Sequence, residues 1–131
     1  MLFLFLIACG TCPPEEMLCD EQCVPAIQAT AQSLAEDVFS KSCAFSSCHS
    51  EAASASAGLS LHNEEALLEM IDKASIQDPN KKLIVPGDPA SSYLIDKMRG
   101  SNLVSGTDSM PPNATLCESK LELVEAWIES L

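Results

Sequence analysis

Cys43-Ala44-Phe45-Ser46-Ser47-Cys48-His49 is the stretch on which the reading of this chain turns. Two thiols followed at once by an imidazole form one chemical unit: each sulfur can add to a vinyl group of a porphyrin, and the histidine beside the second is delivered beneath the iron. The spacing is C-x4-C-H, longer than the common form with two residues between the cysteines, so the extra residues must bulge outward if both sulfurs are to reach one porphyrin edge. Taken alone, the motif leaves a second reading open, in which Cys43 and Cys48 close a small disulfide loop and His49 is a bystander. A zinc site on Cys43, Cys48 and His49 with a fourth cysteine is disfavoured. Adjacent side chains rarely both turn to one tetrahedral ion, and an oxidising compartment removes free thiolates.

Outward from the motif the apolar residues recur at helical spacing. Upstream, Pro25 can serve as a first helical residue, and Ile27, Ala31, Leu34, Ala35, Val38 and Phe39 form one stripe on a helix of about four turns. Downstream, Asn63 is a good N-cap for a short helix carrying Ala66, Leu67, Met70 and Ile71, which Asp78-Pro79-Asn80 ends. Asp88-Pro89 opens a third, with Tyr93, Leu94, Ile95 and Met98 inside it and Gly100 as its stop. Thr115-Leu116-Cys117-Glu118 reads as a capping box before a last helix with Leu121, Val124, Trp127, Ile128 and Leu131 on its inner face. Glu64-Glu65 is the acidic first turn of its helix, not a catalytic pair. No segment alternates like a strand, and the loops Ser50 to Leu61 and Gly100 to Pro112 are long. Aromatic residues make up only 5% of the chain, which leaves open what fills the centre of so small a helical domain.

The 131 residues amount to one domain, with 19 acidic side chains against 7 basic ones and a net charge of −12. A surface this negative repels phosphate backbones, which excludes nucleic-acid binding, and favours protein partners with basic docking surfaces. No Ser-His-Asp set, phosphate-binding glycine loop or pair of catalytic carboxylates stands out, so the expectation is a carrier and not an enzyme. Met1 to Ala8 is almost wholly apolar and far too short to span a bilayer, which needs about 20 residues, so it reads as an export signal. Leu6-Ile7-Ala8-Cys9 resembles a bacterial lipobox, with Cys9 as the lipidated residue. No Lys or Arg precedes the apolar run, which points to a start codon further upstream. Gly10 is not the aspartate that retains lipoproteins in an inner membrane, so the expected location is the cell envelope, periplasm-facing or at the surface, in the outer membrane. Residues 9–24, rich in Cys, Pro and acids, read as a tether, and residues 25–131 as the folded domain.

With the motif in this context, the chain resembles the class I c-type cytochromes, in particular the bacterial secreted and lipoprotein domains that carry the longer C-x4-C-H spacing. Phe39, four residues ahead of Cys43, takes the aromatic position of that family's N-terminal helix, and Ala35 its small-residue position. Trp127-Ile128 sits where the C-terminal helix packs across it. Ala57-Gly58-Leu59-Ser60-Leu61, Val85-Pro86-Gly87-Asp88-Pro89 with Ser92-Tyr93-Leu94, and Met110-Pro111 are similar to recurrent segments of the group, in the same order. The resemblance implies an all-α fold, about four helices with long loops wrapped around one haem c bound covalently through Cys43 and Cys48. It also implies His49 and Met110 as the iron ligands.

Met110 suits the sixth position on its own terms too, because Pro111-Pro112 holds the following backbone extended and removes its N–H donors. Met70 and Met98 occupy apolar helical positions and read as core, and His62, beside Asn63 at a helix start, reads as solvated. An iron held by His and Met has no open position and favours the ferrous state, which argues for single-electron transfer between protein partners. Two alternatives stand against this: a haem-free, disulfide-stabilised helical binding module, and a haem sensor or enzyme with an open iron position.

Four cysteines remain, Cys12, Cys19, Cys23 and Cys117, an even number in an oxidising compartment. Because the terminal helices cross in the cytochrome c fold, the resemblance implies a Cys23–Cys117 staple with Cys12–Cys19 as a small loop. The residues alone leave open a local Cys19–Cys23 pair, with Cys117 joined to Cys12 or unpaired.

Overall fold

Thr30, not Pro25, opens the first helix in the computed structural model, which describes residues 12–45, 48–50 and 58–131. The extended backbone of Thr30 and its hydroxyl, which accepts from the Ser33 N–H at 3.3 Å, satisfy one of the donors that a helix start leaves bare. This helix, α1, covers residues 31–42 and is wound in three parts: α-helical at Ala31–Leu34, π-helical at Ala35–Phe39 and α-helical again at Ser40–Ser42. At its end the Phe39 carbonyl accepts from the N–H groups of both Cys43 (2.7 Å) and Ala44 (2.9 Å). Such widened turns are rare in helices and concentrate at functional sites.

Asn63 caps α2 (Glu64–Leu68) as expected, its side-chain oxygen accepting from the Ala66 N–H at 2.9 Å. The helix ends well short of Asp78. Met70 and Ile71 make tighter bonds to the Leu67 and Leu68 carbonyls, and Asp72 then takes a left-handed conformation (φ 59°) that turns the chain away. The segment beyond is pinned by two isolated bridges, Ile71 with Ile84 and Ala74 with Lys82. Its Lys82 and Leu83 carbonyls accept from the N–H groups of Tyr93 and Leu94, which start α3 (Tyr93–Arg99) after a short 3₁₀ turn at Pro89–Ser91. Gly100, at φ 68°, ends α3 in the conformation that only glycine adopts without strain. Helix α4 spans Glu118–Glu129 with Cys117 at its N-cap and no side-chain cap bond, so the anticipated capping box does not form.

Leu34, Ala35, Val38 and Phe39 of α1 and Leu121, Val124, Trp127 and Ile128 of α4 belong to one buried core, in which Leu67, Met70 and Ile84 also lie. Arg99 at the end of α3 reaches Glu125 (2.8 Å) and Glu118 (3.0 Å) on α4, and these carboxylates hold its guanidinium well above its ordinary pKa.

The expected all-α class is overturned by residues 16–25. Glu16–Cys19 (β1) and Gln22–Pro25 (β2) form a two-stranded antiparallel sheet in the register Glu16 with Pro25, Met17 with Val24, Leu18 with Cys23 and Cys19 with Gln22. The two-residue turn between them is Asp20-Glu21, both at positive φ (49° and 66°), the backbone that matches the twist of a hairpin. Among the described residues the fold is therefore four helices with long loops and a small sheet. The sheet lies against α4, where the Ser119 hydroxyl donates to the Leu18 carbonyl at 2.6 Å, and Met17 lines a shallow groove with Ile27, Leu123 and Ala126. Two disulfides fix it there, Cys12–Cys23 and Cys19–Cys117. This pairing is neither the Cys23–Cys117 staple nor the local Cys19–Cys23 pair of the sequence reading. Cys19 and Cys23 stand at different levels of the ladder, where Cys19 faces Gln22 and Cys23 faces Leu18, so each bonds outside the hairpin. The stretch that resembles a lipobox, with Cys9, lies outside the described residues. Among the described residues no helix is long and apolar enough to cross a membrane.

Candidate functional site

Cys43 is set by the Phe39 carbonyl at the end of α1, and the loop that follows closes on itself. The His49 N–H donates to the Cys43 carbonyl (3.0 Å) and the Cys48 N–H to the Phe45 carbonyl (2.9 Å), so both cysteines and the histidine hang on one short cross-bonded turn. Ser46 and Ser47, the residues expected to bulge, lie outside the described residues. Cys43 and Cys48 take part in neither disulfide.

The ring of His49 is oriented from behind. Its Nδ1 lies 2.9 Å from the Leu59 carbonyl, and the Leu61 N–H donates to the His49 carbonyl at 2.8 Å. A carbonyl oxygen can only accept, so Nδ1 is the donor in this bond, and Nε2 is the ring nitrogen left to ligate a metal. His62 is differently placed: Ser60 Oγ (2.5 Å) and Asn63 Nδ2 (3.0 Å) engage both its ring nitrogens.

These elements enclose a cavity of about 360 Å³, within the range of cofactor and ligand sites. Cys43, Cys48, His49 and Met110 all line it. Phe39, Leu59, Leu61, Leu83 and Leu94 supply apolar wall, and Tyr93, buried, directs its hydroxyl to Gln77 Oε1 at 3.3 Å. The cavity brings in Met98 as well, a residue read as core, whereas Met70 stays in the core away from it. In a chain with 19 acidic residues no Asp or Glu is among the described lining residues, while Lys73 and Lys97 are. Among the described residues no group of three or more His, Cys, Asp or Glu is gathered around one point.

The loop that carries Met110 is held by α3. The Met110 N–H donates to the Lys97 carbonyl at 2.8 Å, and Lys97 Nζ donates to the Asp108 carbonyl. At the loop's start, buried Asp96 accepts from Asn102 Nδ2 (3.1 Å) and from Lys81 Nζ (2.7 Å), an ion pair that raises the Lys81 pKa above its usual value. Lys81, Asp96 and Lys97 were not singled out by the sequence reading. The signal was present, because Asp96 and Lys97 interrupt the apolar run Tyr93 to Met98, and charges there need partners.

Burial, and secondarily the neighbouring Cys48, pushes the Cys43 thiol up to about 11. A raised thiol pKa keeps the sulfur protonated at neutral pH. Before cofactor is loaded, alkylation of Cys43 at about pH 8 is therefore expected to lag well behind that in the denatured chain and to accelerate as pH rises toward the folded value. Mass spectrometry of the Cys43 peptide along a pH series measures this, and equal rates in folded and denatured chains would contradict it.

A family model described as Planctomycete cytochrome C matches residues 46–114, a segment that takes in Cys48, His49 and Met110 and leaves Cys43 and both terminal helices outside. No curated protein and no solved structure matches the chain.

Proposed function

The chain belongs to the Planctomycete cytochrome C family, the matched segment covering more than half of it, and from that premise, with the haem binding and electron transfer it brings, we propose a mono-haem carrier of single electrons between protein partners, its haem attached through Cys43 and Cys48. Haem, when bound, supplies a one-electron Fe(III)/Fe(II) couple. The observation that carries the reading is the single cavity shared by two cysteines outside the disulfides, a histidine whose Nδ1 is committed to a carbonyl, and a methionine on a braced loop.

In this reading the two sulfurs hold the porphyrin edge and the Leu59 carbonyl keeps the His49 ring turned with Nε2 available to iron. Met110 offers a thioether from a separate loop. A saturated His/Met site leaves no position for substrate, and thioether ligation favours the ferrous form. Phe39, Leu59, Leu61, Leu83 and Leu94 exclude water, and with no carboxylate among the described lining residues the ferrous form is spared the destabilisation that nearby negative charge would bring. Lys73, exposed and lining the cavity, suits the anionic edge of the cofactor. The acidic exterior suits redox partners with basic docking surfaces, and Cys9, if acylated, ties the carrier to the bacterial envelope, in the outer membrane.

The test is expression with a cytochrome maturation system. Expected are Soret and alpha bands, haem that survives denaturing electrophoresis, and a reversible one-electron titration, whereas a colourless folded product overturns the reading. Because Met98 shares the cavity, the ligand is tested within the same experiment. Met110→Ala is expected to remove the weak sulfur-to-iron charge-transfer band and lower the potential, while Met98→Ala keeps the band and costs on the order of 2 to 5 kcal/mol of stability, the range for deleting a buried methionine. A band that survives the first change and vanishes with the second reassigns the ligand.

A further inference from the structure

Lys97 is 9% exposed, in a chain whose other charges are mostly at the surface, and among the described residues no carboxylate pairs with it. A lysine this far withdrawn from solvent is costly unless it is hydrogen-bonded, so where its hydrogen bonds go is informative. They go to one place. Nζ donates to the Asp108 carbonyl, and the Lys97 carbonyl accepts from the Met110 N–H at 2.8 Å, so one residue grips the loop on both sides of Ser109. Ser109 itself closes on the end of α3, where a side chain at Gly100 would come within 3.3 Å of its Cβ. The start of the loop is held separately: Asp96 takes Asn102 Nδ2 at 3.1 Å on its carboxylate and the Ser101 N–H at 3.0 Å on its carbonyl.

We propose that Lys97 is the positioning residue that latches the Met110 loop over the cavity, setting how firmly the thioether resists displacement from the iron. This rests on the reading of Met110 as the axial ligand. The grip has a main-chain half, which any residue at this position could supply, and an ammonium half, which a neutral side chain cannot. Hydrogen bonds from charged donors are the stronger kind, so losing the ammonium half should loosen the loop without removing the ligand.

The test uses the haem-loaded ferric protein titrated with imidazole, which must displace the methionine to bind, with loss of the sulfur-to-iron band as the readout. Lys97→Met keeps the apolar stem and removes the donor. It should retain the band without imidazole yet take imidazole about tenfold more tightly than the wild type, whereas Lys97→Arg, which keeps a charged donor, should stay within about threefold. A merely structural role for Lys97 lowers the unfolding midpoint and leaves the imidazole affinity where it was, so a Lys97→Met protein that titrates like the wild type overturns the proposal. Should Lys97→Met fail to load haem, Lys97→Arg carries the test, and an arginine variant loosened about tenfold overturns it. Met110→Ala separates the two levels of inference. If it loses a band that the wild type shows while Lys97→Met matches the wild type, the latch alone fails. If the wild type shows no such band and binds imidazole as Met110→Ala does, the axial reading fails and takes the latch with it.

Discussion

Replacing His49 by alanine should abolish the low-spin haem spectrum and cut covalent loading by more than about a hundredfold, a larger loss than the roughly 10–100-fold that follows removal of an outer partner at a metal site. The argument rests on three roles meeting in one side chain. His49 lines the cavity, its Nδ1 is spent on the Leu59 carbonyl, and its backbone N–H closes the turn that presents Cys43 and Cys48. Alanine keeps the last of these and loses the other two, so the cysteines should still be displayed while the iron has nothing on that side. His62→Ala is the matching control. That ring is bound to Ser60 and Asn63, and its loss should leave the spectrum as it was. Absorption spectra and haem staining of the two variants decide the point, and a His49→Ala protein with the wild-type spectrum would remove the basis of the haem assignment.

The second large effect is on stability. Converting Cys19 and Cys117 together to serine opens a loop with a sequence separation of 98, for which the chain-entropy model gives about 4.7 kcal/mol, with measured losses often smaller. The same change at Cys12 and Cys23, separated by 11, is expected to cost about 3 kcal/mol or less. Paired denaturant unfolding curves measure both, and a larger loss from the Cys12 and Cys23 pair would contradict the ordering. Non-reducing peptide mapping should recover Cys19 linked to Cys117.

What could be read ahead of the structure depended on whether the physics was local. The stretch Cys43 to His49 is contiguous, so the chemistry proposed for it could be argued from seven letters. Asn63 and Gly100 act within a few residues of themselves, as a cap and a left-handed stop, and were legible for the same reason. The first helix was started too early because Pro25 suits an edge strand as well as a helix start, and nothing local decides between them. The hairpin was missed because its turn is Asp20-Glu21, without the Asn or Gly that usually marks positive φ, and because its strands are four residues long. With the hairpin unseen, the disulfide register could not be derived, since it is the ladder that separates Cys19 from Cys23. At the site, the ligand set concerned residues whose side chains do chemistry, whereas Lys97 and the Leu59 carbonyl act by holding others. Their importance exists only once distant segments meet.

The Cys19–Cys117 bond has a topological consequence. All of the described residues that line the cavity, from Phe39 to Pro112, fall between its two sulfurs, so the site is built inside a covalent macrocycle. A protease that cuts once within that ring linearises it without releasing a fragment. Nicked protein should keep its full mass apart from the one water added by the cut, with both walls of its cavity still covalently joined, until a reductant opens the bond and the pieces part.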